Sequence, residues 1–139
     1  MNLERLNRIA AIELADPQRL EMLTWESSTS HPCGTTRCIA GWTLFDAVSA
    51  PIWGADDSFT PEFLAFMAAN YPDWDPEDEE FPEFPEFAAA NLLGLTEEQA
   101  ELLFHTSNAR ARGFLHRVRT GHTEAQLAEY IDGLAETGW

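Results

Sequence analysis

His31, Cys33 and Cys38 are the residues whose types and spacing best suit chemistry in this sequence of 139 residues. Three soft or borderline ligands within eight positions suit Zn²⁺, which takes four in a tetrahedron; His105, His116 or His122 would supply the fourth. The C-x4-C spacing also allows a Cys33–Cys38 disulfide, which closing so short a loop would stabilise by about 2 kcal/mol, although a reducing compartment opposes it. A third chemistry is a reactive thiol, because Cys38 falls in the first turn of an expected helix, where the dipole lowers a thiol pKa. The plainer arrangement packs Cys38 in the core and leaves Cys33 in a loop.

The second candidate is an acidic, aromatic run over 72–87 that carries eight acids in 16 residues. Asp73, Trp74, Asp75, Glu77, Asp78, Glu79, Glu80, Phe81, Glu83, Phe84 and Glu86 combine carboxylates with rings, a mixture that suits a basic, partly apolar partner surface. The alternating acids do not make an EF-hand. That loop needs Gly sixth and Glu twelfth, and counting from Asp73 those positions hold Asp78 and Phe84. Prolines 76, 82 and 85 favour an extended path, so the run reads as an acidic loop inserted between helices.

Charge supports the same reading. The formal net charge is −16, all eight basic residues are arginines, and residues 38–109 hold 15 of the 24 acids and no base. Such a field repels nucleic acid and anionic membranes and favours a basic partner. Arg110, Arg112, Arg117 and Arg119, with the three later histidines, are the one basic cluster. They suit a phosphate or the acidic run, or flank an apolar stripe as edge residues. No Gly-rich phosphate loop, nucleophile elbow or H-E-x-x-H pair occurs, so no enzymatic activity is expected.

The elements that position these residues read as helices. Leu3, Leu6, Ala10 and Leu14 recur at helical spacing. Asp16-Pro17 signals a second start, with a short helix to about Trp25. Thr35 or Thr36 is the expected cap of a central helix running to Val48, apolar on several sides and therefore buried. Gly41 inside it costs about 1 kcal/mol relative to Ala, which close approach of a neighbouring helix would offset. Thr60-Pro61-Glu62 opens a helix with Phe63, Phe66 and Met67 on its stripe. A further helix runs from Phe87 to Leu93, where Gly94-Leu95 stops it. Capping boxes at Thr96 and Thr123 open two more. Between those two, Ala111, Phe114, Leu115 and Val118 form another helical stripe, closed by Gly121. No hairpin signal appears. The expectation is one all-α domain over 1–139, of six to eight short helices around a buried central one. No apolar run reaches a membrane span and no signal segment is evident, which together read as a cytoplasmic chain.

The segment His31-Pro-Cys33-Gly34-Thr35-Thr36-Arg-Cys38-Ile-Ala40-Gly41-Trp42 resembles an uncharacterised group of small bacterial and phage proteins. In that group a Trp precedes a His–Cys-Gly-Thr-x-x-Cys-x-Ala-Gly-Trp core, and Leu-Phe-x-x-x-Asn precedes a C-terminal helix. Trp25, the core segment, Leu103-Phe104 and Asn108 follow that order. Trp25 lies farther from His31 than in the group, and the acidic run is outside its pattern. The resemblance implies one α-helical domain and no activity. The functional expectation is a non-enzymatic acidic binding protein with no cofactor, in the manner of a phage-encoded inhibitor or a DNA-mimicking anti-defence protein. The alternative is a small protein with zinc, a disulfide or a thiol at His31, Cys33 and Cys38.

Overall fold

Start signals written in the sequence become hydrogen bonds in the computed structural model of the chain. Thr60 Oγ1 accepts from the Phe63 N–H at 3.3 Å. Thr96 and Gln99 close a reciprocal capping box at 3.1 and 3.0 Å, and Thr123 and Gln126 close another at 3.2 and 2.8 Å. Two caps lacked an obvious signal: Asn2 accepts from the Arg5 N–H and Ser107 from the Arg110 N–H. Each satisfies a donor that the first helical turn would otherwise strand.

The structure describes residues 1–16, 20, 38–52, 59–73 and 83–137, with the side chains of 83–85, 136 and 137 excepted. Among them run seven helices: α1 (Leu3–Ala15), α2 (Ile39–Val48), α3 (Pro61–Asn70), α4 (Glu83–Leu93), α5 (Glu97–Phe104), α6 (Asn108–Arg119) and α7 (Glu124–Thr137). The all-α expectation holds. None of the helices among the described residues is long and apolar enough to cross a membrane. The short helix expected up to Trp25 lies outside the described residues except for Leu20, which is buried.

Helix α2 is the inner element. It packs on α1, α3 and α4, while α1 also meets α6, and α7 closes against α5 and α6. Ile39 to Leu44 are all buried. Trp42 is 2 % exposed and meets Phe45 edge-on at 5.6 Å. An apolar segment without a polar stripe has nowhere to go but the interior. Thr43, buried among these residues, donates its hydroxyl back to the Ile39 carbonyl at 2.7 Å, so its polar group is satisfied locally.

Two boundaries differ from expectation. Helix α2 begins at Ile39, capped by Cys38 in extended conformation, rather than at Thr35 or Thr36. The Cys38 Sγ does the work of a hydroxyl, accepting from the Gly41 N–H at 3.3 Å. And α4 begins at Glu83, so 83–87 are helical and not part of a loop. Pro85 sits in the first turn, where its missing N–H would have had no helical partner, so the ring costs nothing there. Residues 74–82 of the expected loop lie outside the described residues.

Gly94 ends α4 as expected, with φ of 68°. Its neighbours leave little room: an added Cβ would lie 3.3 Å from the Met1 Cα, beside the bond from the Asn2 N–H to the Leu93 carbonyl. Left-handed backbone and crowding act together, so Gly94→Ala is expected to destabilise by about 1–2 kcal/mol. Chemical denaturation checks this; an unchanged midpoint would contradict it.

The α1–α2 contact carries an ionic clamp. Arg8 Nε and Nη2 donate to the two Asp46 oxygens, each at 2.9 Å, and Arg5 Nε lies 2.9 Å from Oδ2. The Arg8 hydrogen bonds hold the Asp46 carboxyl below its ordinary 3.8, against the opposing effect of partial burial, and the charges of Arg8 and Arg5 add to this. A carboxyl depressed on folding contributes stability that is full above 3.8 and fades as pH falls below it. Asp46→Asn is therefore expected to cost about 1 kcal/mol at neutral pH, a figure discounted for the solvent around the clamp. The loss should shrink below about pH 4. Melting temperatures of both proteins across that range are the check; a pH-independent difference would contradict the clamp.

Candidate functional site: a carboxylate-lined cleft between two helices

Cys38 is a free thiol and only 5 % exposed. Burial pushes it up from 9.0 to about 11, outweighing the backbone N–H groups of Gly41, Ala40 and Cys38 that pull the other way; the charge of Glu86 adds to the rise. The expected activation at a helix N-terminus is thus reversed: the thiol is neutral and packed. Its companions in the metal and disulfide readings, His31 and Cys33, lie outside the described residues. Among the described residues no three His, Cys, Asp or Glu side chains gather as metal ligands would.

Glu86, whose charge acts on Cys38, is partly buried. It occupies the first turn of α4, and its Oε1 lies 2.7 Å from His105 Nε2 just beyond the end of α5. Both line a cleft of about 580 Å³ between α4 and α5. The rest of the lining comes from two short patterns. Glu86, Phe87 and Ala90 project from α4, and Glu97, Ala100 and Glu101 from α5. Both sets follow i to i+4 spacing, which puts them on one face of each helix. Three carboxylates share the lining with the Phe87 ring, two alanines and His105. Phe87 is 53 % exposed and meets Tyr71 edge to face, ring centroids 6.2 Å apart. Glu97 and Glu101 are exposed and form no ion pair among the described residues.

The acidic residues singled out from the sequence separate into three groups. Glu86 lines the cleft. Asp73 is exposed just past α3, and Glu83 and Phe84 fall in the first turn of α4. Trp74, Asp75, Glu77, Asp78, Glu79, Glu80 and Phe81 lie outside the described residues. Glu97 and Glu101 carry no signal in the sequence reading, Phe87 enters it only as the last residue of the 72–87 run, and His105 enters it as a fourth zinc ligand or a member of the basic cluster rather than as the partner of Glu86. The matching spacings 86/87/90 and 97/100/101 on helices joined by a three-residue connection were the available signal.

The basic cluster does not form a site of its own. His105 turns to Glu86. Arg112 Nε lies 3.7 Å from the buried carboxylate of Glu13. Arg117 lies over the Tyr130 ring at 4.3 Å and donates to the Gly113 carbonyl at 3.0 Å, while the Tyr130 hydroxyl donates to the Arg110 carbonyl at 2.9 Å. Arg117, Arg119 and His116 also occupy the last turn of α6, where positive charge meets the negative helix end. Arg112 thus ties α6 to α1, and Arg117 and the Arg110 carbonyl tie it to α7.

No family model, curated protein or solved structure matches the chain.

Proposed function

We propose that this is a non-enzymatic acidic binding protein that engages a basic protein surface. The observation that carries the reading is the separation of charge: 15 acids and no base over residues 38–109. The arrangement of the arginines supports it, since Arg5, Arg8 and Arg112 are engaged with Asp46, Glu4 and Glu13 of the same chain. Asp46 is the one acid of the middle segment that these arginines engage, and the others dominate the field that an approaching partner meets, which steers a basic surface and repels phosphate. An inhibitor or a mimic of DNA, of the kind phages deploy against host defences, would use such a face. Cofactor chemistry has no part in the reading.

The test compares wild-type protein with a variant whose acids between 73 and 86 are changed to Asn or Gln, each immobilised and exposed to host lysate. The expected result is a basic protein retained by the wild type, lost by the variant, and released as salt rises from about 50 to about 200 mM, a range over which exposed charges become strongly screened. Equal retention by both proteins, or retention indifferent to salt, would overturn it.

A further inference from the structure

We propose that the α4–α5 cleft is the anchor point for a single arginine side chain of the partner, an assignment that rests on the basic-partner reading and narrows it. Glu97 and Glu101, four residues apart on α5, present two carboxylates along one wall. A guanidinium is a planar fork that pairs with carboxylates through parallel N–H donors. Phe87 lines the same cleft and is 53 % exposed. Tyr71 meets that ring edge to face, and an arginine is the cation best able to lay its flat group on an aromatic ring. Ala90 and Ala100 add small side chains to the lining, which suits the apolar stem that an arginine carries behind its charge. The volume, about 580 Å³, is of the class that holds a side chain together with part of its backbone.

Other occupants fit the lining less well. A lysine brings a compact, strongly hydrated charge that has no planar face to lay on Phe87 and no fork to bridge carboxylates. Calcium takes six to eight oxygens, whereas Phe87 and two alanines occupy much of this surface. Phosphate would face three glutamates. His105 is engaged with Glu86, which directs a cation toward Glu97 and Glu101.

The experiment uses the intact chain, labelled with ¹⁵N, and three capped pentapeptides of sequence Gly-Ala-X-Ala-Gly with X as Arg, Lys or citrulline. Amide shifts are followed by NMR at low salt. The Arg peptide is expected to move amides of α4 and α5 between residues 86 and 105. The Lys peptide should bind about threefold or more weakly, the loss expected when the stacked planar contact goes. Citrulline, isosteric and neutral, should leave the spectrum unchanged. Phe87→Ala should reduce the Arg preference over Lys, and the double variant Glu97→Gln/Glu101→Gln should abolish the response; both alter exposed side chains, and an otherwise preserved spectrum confirms their folds. Equal binding of Arg and Lys peptides, or shifts confined to another face, would overturn the anchor while leaving a basic partner in place. No shift with these peptides or with an octa-arginine would overturn both.

Discussion

Gly41→Leu is expected to remove the folded state or lower its stability by about 3 kcal/mol or more. Every residue of α2 from Ile39 to Leu44 is buried, and α2 is wrapped by α1, α3 and α4. A leucine there adds four carbon atoms to an interior packed to crystal-like density, and the cost of overpacking alone is typically 1–3 kcal/mol. The backbone beside it has little freedom to yield, because the Gly41 N–H is fixed to the Cys38 Sγ and Trp42 is locked on the next position. Total stabilities of small domains are about 5–15 kcal/mol, so one such change consumes much of the margin. Far-UV circular dichroism against temperature reads the result. A melt like that of the wild type would show that α2 has slack at Gly41 and that the buried central helix is not the organiser of the core.

The second large effect is a loss of stability in alkali traced to one thiol. Cys38 holds its proton up to about 11 in the folded state, against 9.0 without burial. Between those values the folded chain binds more protons than the unfolded chain, so stability falls as pH rises. It is complete below 9.0 and is lost progressively through 11, by about 3 kcal/mol in all. Urea denaturation at a series of pH values measures the slope. Cys38→Ala is the reference: it should be less stable at neutral pH through the missing cap and packing, and should lose the extra alkaline slope. Equal slopes would mean that Cys38 is ionised or liganded in the native protein. That outcome would favour the zinc or thiolate alternative.

How far the sequence could be read follows from how local each signal was. Thr60, Thr96, Thr123 and Gly94 act within four residues of themselves, and each marks the helix end that it promised. The stripe Ala111, Phe114, Leu115 and Val118 is buried as its spacing requires. The start of α2 was misplaced because cysteine is a weak acceptor and ranks low among caps; burial of Sγ next to the Gly41 N–H made it serve. The start of α4 was misplaced because three nearby prolines read as a breaker, although Pro85 stands where a helix tolerates it. The cleft is a tertiary object. Its lining comes from spacings on separate helices, and only the packing of α4 on α5 brings Glu86 and Phe87 into one cleft with Glu97 and Glu101. The density of carboxylates over 72–87 does not reveal that Glu86 meets His105 just past the end of α5.

The central claim is that acidity between Arg37 and Arg110 exists to meet a basic partner. Titration calorimetry of the captured basic protein, run with wild type and with Glu97→Gln/Glu101→Gln at several salt concentrations, tests it most directly. The predicted result is an affinity that falls steadily with salt for the wild type and is weaker, with a shallower salt dependence, for the variant. Affinities that ignore both salt and the two substitutions would contradict it.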